Sequence, residues 1–334
     1  MLCDLCGGVT EYVPGADGMR CPYCQAVQPL AVTGPAVRRP VETLRGRLPV
    51  TLTDEHRVVC PRCATASTPA LLSSRCPACE TPIVLELGGE VRPGALAPFT
   101  LDRELALNAL DRWAGARWFA PESLARVSDA ASITATFVPV WVFDLETVTR
   151  YVGRRGDHYY QVETYESGGE TRTRSVRRTR WRQARGKINR RFTDVVVPGV
   201  KQHRPARLPA TTVPFQAEYL SGVATLRYTV PPDQALNQAK TSVKSHIRTA
   251  CLADIGGDER RLNSMVTTYP SMDGDLILLP YWTGDYSLGG KTWRFTVDGA
   301  TGEVRGKRPY SATKLTAPLV ALALLVVVLV LLSL

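Results

Sequence analysis

Eight of the nine cysteines fall in four Cys-x-x-Cys pairs. Cys3/Cys6 and Cys21/Cys24 form one set, with fourteen residues between Cys6 and Cys21. Cys60/Cys63 and Cys76/Cys79 form a second, with twelve between Cys63 and Cys76. Each tight turn delivers two thiolates to one ion, and two turns complete a tetrahedral shell. The pattern predicts two zinc ribbons, each with a structural four-cysteine zinc site. Redox dithiols, disulfides and iron in place of zinc are the alternatives. A redox pair normally opens a helix in a βαβ unit, and none is visible here. Four Cys ligands leave no coordination position for water, which argues against catalytic zinc. A ribbon of about twenty-five residues has almost no core, so the metal supplies its folding energy. Arg20, Arg62 and Arg75 adjoin the knuckles. They either offset thiolate charge or stand as ordinary surface residues.

Other chemistry is sparse. His56, His158, His203 and His246 are scattered without ligand spacing. No nucleophile elbow, His-Glu-x-x-His motif or paired-carboxylate signature occurs. The stretch from Gly284 to Thr292 imitates a phosphate loop, but Asp285 stands where that motif needs glycine. Residues 293–297 also alternate like a strand, where a helix should begin. The expectation is a non-enzyme with no small-molecule substrate.

A basic segment is the second feature. Thr171 to Arg191 holds ten Lys or Arg and no acid. It is read as the second strand of a hairpin turning at Ser167-Gly168-Gly169. Arg172, Arg174, Arg178, Arg180 and Arg182 share one parity and line one face, with Trp181 on the other. Three readings compete: a solvated face balanced by Glu163, Glu166 and Glu170, contact with an anionic membrane surface, or contact with nucleic-acid phosphate. The last is the least supported, because Trp181 is the only aromatic among the arginines.

The surrounding elements follow from composition and periodicity. A chain of 334 residues suggests two domains. A hydrophobic share of 44% and a charged share of 22% exclude a disordered polar chain, and the net charge is +10. Residues 1–29 read as the first ribbon, 30–52 as a semi-extended linker and 53–90 as the second ribbon, so the ribbons are expected as separate beads. From 95 to 310 an α+β body is expected, with Asp102 capping a helix that buries Leu105, Ala109, Leu110 and Trp113. A second helix from about Asp233 presents Leu236, Ala239, Val243, Ile247 and Ala250, with Cys251 as a core thiol. Phe137-Val-Pro-Val-Trp141 and Leu278-Leu-Pro-Tyr-Trp282 each follow a helix. This points to a repeated helix-plus-antiparallel-sheet unit, at about 95–200 and 215–310.

Leu315 to Leu334 is uncharged, with nine Leu, five Val and three Ala. Twenty such residues in a helix match the thickness of a bilayer. The expectation is a C-terminal transmembrane helix, a tail anchor. Arg305, Lys307, Arg308 and Lys314 flank it and hold the bulk of the chain in the cytoplasm. No secretory signal is visible at Met1-Leu2-Cys3-Asp4. The expected location is therefore the cytoplasmic membrane, single-pass.

In order, the motifs are the Cys knuckles, Val138-Pro-Val-Trp-Val-Phe-Asp144, Tyr151 to Tyr160, and Thr179-Arg-Trp181. Phe192 to Pro198, Tyr219-Leu-Ser-Gly222, Leu279-Pro-Tyr-Trp-Thr283, Val297 to Val304 and the apolar tail follow. This assembly resembles the membrane-anchored zinc-ribbon proteins of Bacillus-type phage-shock operons. The resemblance implies an adaptor that recruits a PspA-family (ESCRT-III-like) protein, alongside SPFH or flotillin-like partners, in envelope stress. The alternative is a tethered, nucleic-acid-binding regulator. One departure is that Gln25, Ala64 and Glu80 follow the second Cys of three knuckles, where Gly7 follows the first pair.

Overall fold

A computed structural model describes residues 2–16, 18–30, 34–49, 57–68, 71–85, 90–115, 131–201, 208–288, 291–306 and 331. Strands β1 (Glu11–Tyr12), β2 (Gly18–Arg20) and β3 (Val27–Pro29) form the first ribbon's sheet. Then come β4 (Arg39–Pro40), β5 (Val58–Val59), β6 (Ala66–Ser67), β7 (Ser73–Arg75) and β8 (Pro82–Val84). The body comprises β9 (Ala95–Leu96), α1 (Arg103–Gly115), β10 (Ala131–Ser167), β11 (Glu170–Pro198), β12 (Val213–Pro214), β13 (Ala224–Thr225), α2 (Pro232–Ile255), β14 (Glu259–Leu288), β15 (Lys291–Asp298) and β16 (Val304–Gly306).

The expected α+β body is corrected. Strand dominates, and the described residues hold only two α-helices. Three strands of 37, 29 and 30 residues form the frame, with β10 between β11 and β14. β-branched and aromatic residues between 131 and 152, and alternating Thr and Arg at 171–174 of β11, keep the backbone extended far beyond an ordinary strand. Gly153 and Gly156 do not interrupt β10, because neighbours occupy their missing side-chain space: a Cβ on Gly156 would meet Thr179 at 2.7 Å.

The expected transmembrane helix and cytoplasmic-membrane location are corrected too. Among the described residues, no helix is long and apolar enough to cross a membrane. α1 has 13 residues, and α2, though 24 long, carries Asp233, Lys240, Lys244, Arg248 and Asp254. Residues 315–334, on which the span was read, lie outside the described residues except for Leu331, as do Lys307, Arg308 and Lys314.

The frame has local two-fold symmetry. Val138 pairs with Leu279, and the two Pro-x-Trp motifs run antiparallel across that point. On one side, Pro139 O accepts from Gly199 N–H, and Gly199 O accepts from Thr229 and Val230 N–H. On the other, Pro280 O accepts from Gly299 N–H, and Gly299 O accepts from Thr100 and Leu101 N–H. The Trp141 indole donates to Val230 O at 2.8 Å, and the Trp282 indole to Leu101 O at 3.1 Å. Each carbonyl lies just ahead of a helix, α2 and α1 respectively. β13 runs parallel beside Thr136–Phe137, and β9 parallel beside Ile277–Leu278. Each half thus ties down the helix start of the other.

The helices cover different cores. Asp102 Oδ1 accepts from Leu105 N–H at 2.8 Å and caps α1. α1 buries Ala106, Ala109, Leu110 and Ala114 against Phe99, Phe137, Trp282 and Phe295. Leu105, expected on that face, is 49% exposed. α2 starts with Pro232 in its first turn, where a missing N–H costs little. It buries Leu236, Ala239, Val243, Ile247 and Cys251 on Trp141, Phe143, Leu145 and Tyr151. Cys251 is fully buried, and burial raises its thiol pKa.

The ribbons are fused to this frame. Tyr12 and Met19 of the first ribbon enter the α1 core. Tyr12 N–H donates to Ser221 O at 2.9 Å, and its hydroxyl accepts from Phe99 N–H at 3.0 Å. In the second ribbon, β7 pairs with β13 and joins the main sheet. Part of the expected linker is pinned as well. β4 pairs with β14 at Asp273–Gly274, and the Arg39 guanidinium grips the buried Asp275, with Nε 2.9 Å from Oδ2.

Candidate metal centres

The eight paired cysteines gather into two groups, Cys3, Cys6, Cys21, Cys24 and Cys60, Cys63, Cys76, Cys79, with all Sγ atoms of a group within 4.8 Å of one another. Across each group the knuckles face each other. Cys3–Cys24 and Cys6–Cys21 are 3.5 and 3.4 Å apart, and Cys60–Cys79 and Cys63–Cys76 are both 3.6 Å. A tetrahedron with ~2.3 Å metal–sulfur bonds has edges of ~3.8 Å, so both groups fit one ion apiece. The spacing is too wide for disulfides, whose sulfurs sit ~2 Å apart. The two groups are consistent with two structural metal sites.

The backbone explains why these turns make ligands. Gly7 N–H donates to Cys3 O, Gln25 N–H to Cys21 O, Ala64 N–H to Cys60 O and Glu80 N–H to Cys76 O. The donor residue in every turn is left-handed, with φ of 71°, 63°, 56° and 58°. Three knuckles therefore hold non-glycine residues where glycine is unstrained. Relieving that strain should help the second ribbon. Ala64→Gly is expected to add ~0.5 kcal/mol, after the greater freedom of unfolded glycine is subtracted. A rise of a degree or two in the thermal midpoint of the metal-loaded protein checks it.

The thiols of each group divide: Cys6 and Cys76 are pushed up to about 12 and about 11, while hydrogen bonds favour thiolate at Cys21 and Cys63. The N–H of Cys24, then that of Tyr23, holds the Cys21 thiol down to about 6. The hydroxyl of Thr65, 3.2 Å from Cys63 Sγ, and then the Thr65 N–H hold Cys63 down to about 6. In each group the first cysteine of each knuckle is buried.

Two of the three arginines beside the knuckles, Arg75 and Arg62, connect the ribbons. Arg75 grips Glu11 with Nη2 2.6 Å from Oε2 and Nη1 3.1 Å from Oε1. The Arg62 guanidinium stands 5.7 Å from the Tyr23 ring centroid. Both contacts run from the second ribbon to the first.

The arginine stripe sits on the β10–β11 hairpin, which runs past the start of β14 as two strands for ~33 Å. Gly168 and Gly169, with φ of 68° and 82°, make its end turn. Arg172, Arg174, Arg178, Arg180 and Arg182 lie on one face together with acids and tyrosines. Arg172 meets Glu170 at 3.3 Å, Arg174 meets Glu163 at 3.0 Å, and Arg178 meets Glu163 too. Arg182 meets Asp157 at 2.5 Å, and Arg180 stands 5.0 Å from the Tyr159 ring centroid. The pKa of Glu163 is depressed by Arg178 and then Arg174, and that of Asp157 by Arg155 and then Arg182. Arg305, on β16, meets Glu303 at 2.9 Å.

No family model matches the chain, and no solved structure matches it. Among curated proteins it is similar to the uncharacterized protein YdjG of Bacillus subtilis (strain 168). The two are 23% identical over 239 residues, covering 69% of this chain and 68% of that protein.

Proposed function

We propose that the protein is a non-enzymatic zinc-ribbon adaptor that recruits a protein partner. The observation that carries this reading is the pair of closed four-cysteine sites fused to a rigid frame. Four thiolates per ion suit zinc, and they leave no position for a substrate or an activated water. Such sites do structural work, and what they hold rigid here is partly apolar. Leu2, Leu5 and Tyr23 of the first ribbon are 63%, 79% and 57% exposed, large apolar side chains available to a partner. The sequence resemblance supplies the partner class: a PspA-family, ESCRT-III-like protein or an SPFH-type protein, in envelope stress.

The test is affinity capture from a nuclease-treated extract with mass spectrometry as readout. The intact protein and a Cys76→Ser/Cys79→Ser variant are compared. Capture of a PspA-like or SPFH protein by the intact chain alone supports the adaptor. Equal capture by the double-serine protein removes the second ribbon from the contact. Nucleic-acid-binding proteins in place of that class, lost on nuclease treatment, would favour the regulator instead.

A further inference from the structure

Among the described residues, the long sheet from Glu146 outward is covered on one face and bare on the other. α2 lies on the side of the odd-numbered β10 residues, where Leu145 and Tyr151 are buried. From Glu146 outward, the even-numbered residues point the other way. Pairing puts Lys187 and Val266 beside Arg150, Arg185 and Ser264 beside Val152, and Gln183 and Arg261 beside Arg154. Arg150, Arg154, Arg185 and Lys187 are exposed there, and Val266 is 69% exposed.

These cations differ from the stripe at the hairpin tip. Among the described residues, Arg150, Arg185 and Lys187 make no ion pair, whereas four of the five tip arginines do. Arg154 and Arg261 stand 5.8 and 4.1 Å from the centroid of Trp181. That ring lies across Gly156, on the same bare face.

We infer that this bare face is a second docking surface and that its occupant is an acidic amphipathic helix of a protein partner. Charge complementarity selects an acidic occupant and disfavours a second copy of this chain. Val148, Val152 and Val266 lie among the cations and offer the apolar contact that a helix face requires. Three strands span ~10 Å, about one helix diameter. Single-stranded nucleic acid would need open aromatic faces, and the Trp181 ring is already engaged by two arginines. The inference deepens the adaptor reading but uses none of the ribbon residues.

The probe is a synthetic helix with leucine at heptad a and d positions and glutamate elsewhere, titrated against the full metal-loaded chain by fluorescence anisotropy. Binding is expected. Arg150→Glu/Arg185→Glu/Lys187→Glu should weaken it more than ~10-fold, and Arg174→Glu/Arg178→Glu at the tip less than ~2-fold. Hydrogen exchange on the unsubstituted protein gives a reading free of folding effects. The peptide should slow exchange at Gln183–Lys187. Undiminished binding by the triple variant, or no protection of those amides, overturns the assignment. So does a face that ignores the peptide and takes oligo(dT) or phosphatidylglycerol vesicles instead. Peptide binding that survives while ribbon-dependent capture fails would sink the adaptor reading and leave this surface standing.

Discussion

Cys21→Ser is expected to remove one of two metal ions per chain and to lower the thermal midpoint of the whole body by more than ~10 °C. Cys21 is fully buried, and its sulfur lies 3.4 Å from Cys6 in the first group. Structural zinc contributes ~10 kcal/mol or more to folding a small ribbon, so a three-ligand site leaves this one unfolded. The loss does not stay local. Tyr12 is 3% exposed and Met19 fully buried, and both pack into the core that α1 covers. Tyr12 stands edge-on to Tyr219 at 5.0 Å and 6.4 Å from Phe137. Withdrawing two such side chains costs ~5 kcal/mol by comparison with large-to-small core substitutions. A body of this size loses ~2–4 °C per kcal/mol, which sets the expected shift. Elemental analysis counts the metal, and circular dichroism at a wavelength dominated by the long strands follows the body. One ion lost with an unmoved midpoint would mean that the ribbon is energetically a bead on a string.

That contrast marks where the sequence was legible. The eight ligands were readable because a knuckle is local: two cysteines three apart and one turn decide it. α2 was readable for a similar reason, since a helix repeats within four residues. The attachment of the ribbons was not, because it rests on pairs far apart in the chain. Tyr12 meets Phe99, and Ser73 pairs with Thr225. The stretch after Pro29 looked like a linker because Pro and Gly punctuate it. Arg38 and Arg39 fasten it through Asp144, Asp194 and Asp275, carboxylates that lie much further along the chain.

The basic segment shows a subtler limit. Strand parity correctly groups Arg172 to Arg182, but it says nothing about what stands across the ladder. Glu163 pairs directly with Arg174 and is reached by Arg178 as well, so that stripe is largely answered. The unanswered cations, Arg150, Arg185 and Lys187, come from two strands. Which side each faces depends on register shifts between Phe143 and Leu145, Glu146 and Val148, and Val152 and Gly153. Each bulge reverses parity on one strand relative to its partner. The α+β expectation failed from the same cause. Helix and strand patterns were found, but nothing local says that a strand will continue for 37 residues.

The symmetric frame makes a second large prediction. Trp141→Ala is expected to cost ~3–5 kcal/mol, and Trp282→Ala a comparable amount. Both tryptophans plug a core, at 0% and 5% exposure. Both meet an aromatic edge-on, Tyr228 at 5.3 Å and Phe99 at 5.6 Å, each with an interplanar angle of 70°. Both donate to the carbonyl that leads into the helix of the other half. Milder Trp141→Phe keeps much of the volume but strips the donor from Val230 O, which costs ~1–3 kcal/mol when that carbonyl stays buried. The two rings lie in separate cores, so their single-variant costs should add in the double variant within ~0.5 kcal/mol. Urea unfolding of the metal-loaded single and double phenylalanine variants measures this directly. Equal, additive losses mean that the two halves bear load independently despite sharing the β10–β14 ladder. A double variant much less stable than the sum would mean that each tryptophan holds the other half in place. In that case the exchanged helix starts, and not the cores alone, bind the two halves into one body.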